Sequence, residues 1–148
     1  MRAALLIPAL GRVTEAKLQA LIVQWLEAAL PVNSLWHHSP NEGRRHVAFK
    51  KKLAQMGTAW GWPDLELYVP PSGFHKPEDW APLFLEIKAA KGKTTKNQRD
   101  IHKRLQLCAC RVAEVRSIRE TEAFLAPLVR LDTQGRAGLI RQLEEATA

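Results

Sequence analysis

The stretch Gly61-Trp62-Pro63-Asp64-Leu65-Glu66-Leu67, followed later by Leu83-Phe84-Leu85-Glu86-Ile87-Lys88, decides the fold of this chain. Apolar and polar residues alternate in both segments, which is typical of half-buried β-strands. Side chains two residues apart on a strand point to the same face of the sheet. We therefore expect the acids of each strand to project together, with Lys88 beside Glu86, while leucine and isoleucine side chains occupy the opposite face.

The acidic side chains on these apolar strands predict a cation site. Burying a charge is unfavourable unless the charge is paired or binds a cation. Mg2+ needs only one or two protein carboxylates, because waters and substrate phosphate oxygens complete its octahedron. Asp64 and Glu86 fit that role, and Lys88 can orient or deprotonate an attacking water and neutralise charge on a phosphate. The pattern therefore predicts hydrolysis assisted by Mg2+ or Mn2+.

Pro63-Asp64 and Glu86-Ile87-Lys88 resemble the signature of the PD-(D/E)XK nuclease superfamily. Alone these short motifs are common, but further motifs flank them in the order and spacing of the VRR-NUC family, the virus-type replication and repair nuclease domain. The flanking motifs are Asn41-Glu42-Gly43, Met56-Gly57, Gly61-Trp62 and Thr94-Thr95-Lys96-Asn97-Gln98. The resemblance covers roughly residues 14 to 125, which is most of the chain.

This resemblance implies a restriction-endonuclease-like α/β core, in which helices flank a central mixed β-sheet. It implies a metal-dependent DNA endonuclease whose metal ligands are Glu15, Asp64, Glu86 and the backbone carbonyl of Ile87. Lys88 would orient the attacking water, and Gln98 would support Lys88 or the phosphate. Stand-alone members from phages and bacteria further imply a homodimer acting on branched DNA such as Holliday junctions, in DNA repair within a bacterial cytoplasm.

Glu15 lies at the start of a predicted helix that follows Thr14 and ends before Pro31. The apolar stripe of this helix comprises Leu18, Leu21, Ile22, Trp25, Leu26 and Ala29. Glu15 precedes Leu18 by three residues and shares the stripe's face. An acid in the first turn is also a common partner of the helix dipole. Glu27 is a rival for the metal position, but it lies away from the stripe.

Gln98 begins another predicted helix and has two possible roles. Thr95 and Gln98 match a capping box, in which the two side chains satisfy each other's backbone amides. Gln98 also shares a helix face with Ile101, Leu105 and Cys108, so it is the polar end of an apolar stripe. The structural and the catalytic role are compatible.

Clusters of basic residues near the predicted site indicate contact with a phosphate backbone. These residues are Arg44, Arg45, Lys50, Lys51, Lys91, Lys93 and Lys96. The net charge of +7 agrees with a polyanionic partner. A solvated helix face is the alternative explanation for residues 44 to 53, a predicted helix whose Phe49, Leu53 and Met56 have the spacing of an inward stripe.

Length and composition bound the remaining possibilities. The 148 residues, 46% of them hydrophobic, suffice for one globular domain. We expect a lead-in at 1–13, the nuclease domain at 14–130 and a helical extension at 131–148 that either completes the core or offers a partner surface. The two cysteines lack partners for a disulfide framework or zinc site and are interpreted as reduced thiols. No membrane span and no nucleotide-binding motif is evident.

Two other functions remain open from the sequence. A DNA-binding module could keep the nuclease fold without catalysis, although acids facing phosphate would not help it. Nothing in the residues excludes an RNA nuclease. Internal packing is the favoured role of Trp60 and Trp62, and stacking on unpaired bases of either polymer is the alternative. The sequence leaves open the preferred nucleic-acid structure, the cut position and the choice between Mg2+ and Mn2+.

Overall fold

A computed structural model describes residues 13–39 and 47–147. The five helices of this part of the chain are α1 (Glu15–Ala29), α2 (Val47–Gln55), α3 (Lys96–Leu107), α4 (Ile118–Leu125) and α5 (Gly135–Thr147). The four strands are β1 (Leu35–His38), β2 (Leu65–Tyr68), β3 (Leu83–Ile87) and β4 (Arg111–Val115). The Asn41-Glu42-Gly43 motif and the predicted DNA contacts Arg44 and Arg45 lie outside the described residues.

The strands form one mixed sheet in the order β1-β2-β3-β4. β1 pairs with β2 and β2 with β3 in antiparallel fashion, whereas β3 and β4 are parallel. The parallel pair is joined by α3, because parallel neighbours need a crossover connection. Leu65 lies opposite Leu85 and Leu67 opposite Leu83, so the apolar faces of β2 and β3 coincide. Glu66 lies opposite Phe84 on the other face. The predicted α/β class, with a central mixed sheet flanked by helices, is confirmed.

The apolar stripe of α1 fills the core between this helix and the sheet. All six predicted stripe residues are buried, and Ile22 and Leu26 are completely inaccessible. The helix begins where Thr14 accepts a hydrogen bond from the backbone amide of Lys17, which satisfies one of the free amides of its first turn. The leucines of β2 and β3 pack against the stripe from the sheet. The carboxyl-free face of both strands is therefore the core face, and Glu86 points to the other side.

The carboxyl-terminal helix α5 belongs to the same core. Ala137 and Ile140 are buried in the cluster formed by α1 and the sheet, and α5 packs directly against α1. Of the two roles open for residues 131–148, completing the core is the one that these contacts support. The domain boundaries stay predictions.

Helix α2 differs from the expectation. None of its residues is buried, and the side chains of Phe49 and Met56 are 47% and 73% exposed, so the prediction that they face inward is wrong. Periodic spacing shows that residues share one side of a helix, but tertiary structure decides whether another element covers that side. Only Leu53 of the predicted stripe is partly buried.

No helix within residues 13–39 and 47–147 is long and apolar enough to cross a membrane.

Candidate active site

The edge where β2 begins and β3 ends brings the predicted acids and lysine together. Asp64 directly precedes β2, Glu86 lies in β3, and Lys88 directly follows β3. Nζ of Lys88 lies 3.1 Å from Oε1 of Glu86, and Oδ2 of Asp64 accepts a 2.7 Å hydrogen bond from the backbone amide of Ile87. Glu86 is only 1% exposed. These contacts fix three charged groups at the end of the sheet.

Lys88 carries its positive charge at neutral pH. Burial alone would lower the pKa of its ammonium group, but the hydrogen bond and charge of Glu86, with the charges of Glu15 and Asp64, outweigh that effect and raise the pKa above the usual lysine value. The charged form that these acids favour suits a lysine that orients a water and balances charge on a phosphate.

The side chain of Gln98 takes part in the predicted capping box and also contacts Glu86. Its Nε2 donates a 2.6 Å hydrogen bond to Oε1 of Glu86, while its Oε1 accepts one of 2.8 Å from the backbone amide of Thr95. The hydroxyl of Thr95 in turn accepts a hydrogen bond from the backbone amide of Gln98, which completes the capping box at the start of α3. The helix end thus holds the carboxylate of β3 in place.

Glu15 reaches the site from the first turn of α1. Its Oε1 accepts a 3.3 Å hydrogen bond from the backbone amide of Ala89, just beyond β3. The same oxygen lies against Gly92, where an added Cβ would come within 2.7 Å of it. Glu27, the rival on the same helix, is exposed. The structure therefore brings Glu15, and not Glu27, to the end of β3.

The donor set fits a hard divalent cation, although the acids do not enclose one. Across the two described stretches, no three His, Cys, Asp or Glu side chains converge as a ready-made metal cage. Mg2+ does not require such a cage, because it keeps several waters and takes one or two carboxylates. Oε2 of Glu86 is buried and makes no hydrogen bond among the described residues, so this carboxylate has unused binding capacity. Glu86 and Asp64 are the oxygen donors that fit.

The loop after β3 carries exposed lysines beside this site. Lys91, Lys93 and Lys96 are exposed between β3 and the first turn of α3. The loop is held at both ends: the guanidinium of Arg116 donates to the carbonyl of Ala89, and the hydroxyl of Thr94 bonds to Glu114. Both contacts tie the loop to the end of β4, the neighbour of β3.

The second basic group lies on α2, where Lys50 and Lys51 are exposed. Nζ of Lys50 lies 5.9 Å from the ring centroid of Trp60, within the range of a cation–π contact. Trp62 instead packs edge-on against Phe84, with ring centroids 5.8 Å apart, and donates a 2.5 Å hydrogen bond to Glu66. Internal packing therefore describes Trp62, and Glu66 is already engaged by this indole.

Two contacts made by histidines were not predicted from the sequence. His102, one turn after Gln98, places Nε2 3.5 Å from Oε2 of Glu86. Nδ1 of His38 lies 2.9 Å from the side-chain amide of Gln19 and 3.0 Å from the backbone carbonyl of Asp64. Spacing could have suggested His102, because residues four apart share a helix face. The contact of His38 joins α1 to β2, and no local pattern predicts it.

Comparison with solved structures identifies the fold. A VRR_NUC domain protein superposes with a TM-score of 0.58 at 20% sequence identity, over 79% of this chain and 92% of that chain. No protein-family model and no curated protein matches the sequence. The chain thus has the VRR-NUC fold, and the predicted restriction-endonuclease-like core is confirmed.

Proposed function

We propose that this chain with the fold of a VRR_NUC domain protein is a divalent-metal-dependent DNA endonuclease that hydrolyses phosphodiester bonds. The observation that carries the proposal is the arrangement around Glu86: a buried carboxylate held by a cationic lysine and an amide, with a second acid at the same sheet edge. A structural ion pair alone would not require Glu15 and a lysine-bearing loop beside it.

Asp64 and Glu86, with Glu15 and the carbonyl of Ile87, would hold Mg2+ or Mn2+. The ion would supply Lewis-acid activation of water and neutralisation of phosphate charge. Lys88 orients the attacking water and stabilises the charge that develops on the phosphate oxygens. Gln98 holds Glu86, the ion-pair partner of Lys88, through a 2.6 Å hydrogen bond. Little reorganisation is then needed when a phosphodiester arrives.

The exposed lysines define the surface that would bind the DNA backbone. Lys91, Lys93 and Lys96 are exposed in the segment that follows Lys88, and Lys50 and Lys51 are exposed on α2. Arg44 and Arg45 stay part of this prediction. Lysine contacts to phosphate release counterions, so binding should weaken steeply as salt rises. They carry no base specificity, which suits an enzyme that selects DNA by shape.

We propose further that two copies act together on branched DNA such as Holliday junctions. Each chain carries one acidic site, whereas resolving a junction requires two cuts. β1 pairs only with β2 among the described strands and therefore offers a free sheet edge. Leu35, Tyr68 and Trp80 are exposed around a mainly apolar groove next to that edge. We expect sedimentation velocity to show a dimer that Leu35→Lys dissociates; a monomer that resolves junctions would contradict this part.

Cleavage assays test the enzymatic proposal. A four-way junction, a matched linear duplex, a single strand and a matched RNA are incubated with Mg2+, Mn2+ or EDTA. We expect metal-dependent cutting of the junction, lowered about 100- to 1,000-fold by Lys88→Met, because a group stabilising transition-state charge is lost. Lys76→Met, at an exposed lysine in the connection between β2 and β3, is the matched control and should retain activity.

The other outcomes of this assay are equally informative. Cutting of RNA alone would move the substrate from DNA to RNA. Tight binding of the junction without cutting under any metal condition would leave a DNA-binding module on a nuclease fold.

A further inference from the structure

The carboxylate of Glu86 is surrounded unevenly. Its Oε1 accepts from Gln98 and pairs with Lys88, whereas its Oε2 has no hydrogen-bond partner in the described part of the chain. Nε2 of His102 is likewise buried and without a hydrogen bond there. The two atoms face each other at 3.5 Å. An unsatisfied buried polar group costs about 1–3 kcal/mol, so two of them in contact call for an explanation.

His102 owes this position to the helix that also carries Gln98. The two residues are four apart in α3 and therefore lie on the same side of it. Gln98 meets one oxygen of Glu86 and His102 faces the other. The His102 side chain is only 13% exposed and Glu86 1%, so water has little access to the gap. The imidazole of His102 is thus positioned to donate a hydrogen bond to Oε2 of Glu86.

We propose that His102 is a positioning residue that donates its Nε2–H to Oε2 of Glu86 and fixes the plane of this carboxylate for cation binding. The inference rests on the proposed function, because it assigns Glu86 to the metal. A small rotation of the ring converts the 3.5 Å contact into a hydrogen bond. Carboxylates that bind metals are themselves hydrogen-bonded, and loss of such a partner typically lowers metal affinity about 10- to 100-fold.

A pair of amide substitutions separates positioning from packing. His102→Gln keeps an N–H donor at about the reach of Nε2, whereas His102→Asn is one methylene shorter and cannot reach Glu86. Mn2+ binding to the DNA-free full chain is measured by isothermal titration calorimetry, and thermal unfolding is recorded for each variant. We expect His102→Asn to lower Mn2+ affinity about 10- to 100-fold and His102→Gln to stay within about threefold of wild type.

A merely structural role gives a different result. If His102 only fills space, both amides should retain wild-type Mn2+ affinity, or lose it in proportion to their loss of thermal stability. Either result overturns the proposal. Because both variants carry the same polar group and differ by one methylene, a folding defect of a larger apolar replacement does not enter the comparison.

The outcomes also separate this inference from the proposed function. If wild type binds Mn2+ with the expected variant pattern but cuts no nucleic acid, the positioning role stands and the nuclease proposal fails. If wild type cuts DNA with Mn2+ and His102→Asn binds Mn2+ as tightly, the positioning role alone fails. Absence of Mn2+ binding in wild type overturns the positioning role, whereas the nuclease proposal is decided by the cleavage assay with Mg2+ and Mn2+.

Discussion

Gly61 lies shortly before β2 and packs against the start of α3, the helix whose Gln98 holds Glu86. Gly61→Ala therefore tests directly how the site is built. The backbone of Gly61 has a positive φ of 88°. An added Cβ would come within 2.6 Å of the carbonyl carbon of Asn97 and 2.8 Å of the backbone nitrogen of Gln98. Real Cβ atoms do not approach backbone this closely, so the start of α3 must move.

Gly57 provides the matched control for this substitution. Its φ of 97° is also positive, but a Cβ there meets nothing within 4 Å. Gly57→Ala should therefore lower the free energy of unfolding by about 1–2 kcal/mol, which is the cost of a left-handed conformation for an L-residue. In Gly61→Ala the added Cβ also displaces packed backbone, which typically costs a further ~1–3 kcal/mol. The expected difference between the two variants is thus about 1–3 kcal/mol.

Urea denaturation followed by tryptophan fluorescence measures this difference, with the free energies obtained by linear extrapolation. Cleavage of the preferred DNA substrate is measured in parallel below the unfolding transition. Moving Gln98 away from Glu86 should reduce the activity of Gly61→Ala well below that of Gly57→Ala. Equal free energies of unfolding for the two variants would refute the reasoning, because the contact with Asn97 would then have no energetic consequence.

Three further predictions concern other parts of the chain. Glu15→Gln should lower metal-dependent cleavage about 10-fold or more, as for other groups that support a metal, while Glu27→Gln should stay near wild type; the reverse result in this assay would assign the first-helix acid to Glu27. Burial, opposed by the hydrogen bond from the Ile118 amide and reinforced by neighbouring acids, raises the pKa of Glu144, so its stabilising contribution is present below the ordinary carboxyl pKa and is lost as pH rises through the raised value. Glu144→Gln should therefore melt above wild type at pH 8 and lose that advantage at low pH, and an advantage that is independent of pH would exclude this cause. Ile140→Ala should cost about 2–4 kcal/mol in urea denaturation, because the side chain is fully buried; a cost near zero would show that α5 is dispensable to the core.

Strong periodicity made the main elements predictable. The stripe from Leu18 to Ala29 and the alternation in β2 each reflect one buried face, which leaves a clear signal in the sequence, whereas β3 is buried on both faces. The capping box at Thr95 was equally readable, because it depends on residues only three apart. These features are local, and their local chemistry agrees with the final fold.

Features that depend on distant contacts were less accessible. Phe49 and Met56 have the spacing of a buried stripe, yet their exposure follows from what lies around α2 and not from the sequence of the helix. The contact of His102 with Glu86 joins α3 to β3, and that of His38 with Asp64 joins neighbouring strands at their ends. Sequence spacing indicates which residues share a helix face, but the tertiary structure decides which residue of another element each of them contacts.

Because the side chain of Gln98 bonds both Thr95 and Glu86, fraying of the first turn of α3 also disturbs the site. The side-chain amide of Gln98 both caps α3 at Thr95 and binds Glu86, so opening the first turn leaves the carboxylate with Lys88 but without this hydrogen bond. Helix ends open locally at a lower free energy than the whole domain. The site can therefore lose its order while the sheet stays intact. Native-state hydrogen exchange at the backbone amides of Thr95 and Gln98 would measure how often the first turn of α3 opens in an otherwise folded molecule.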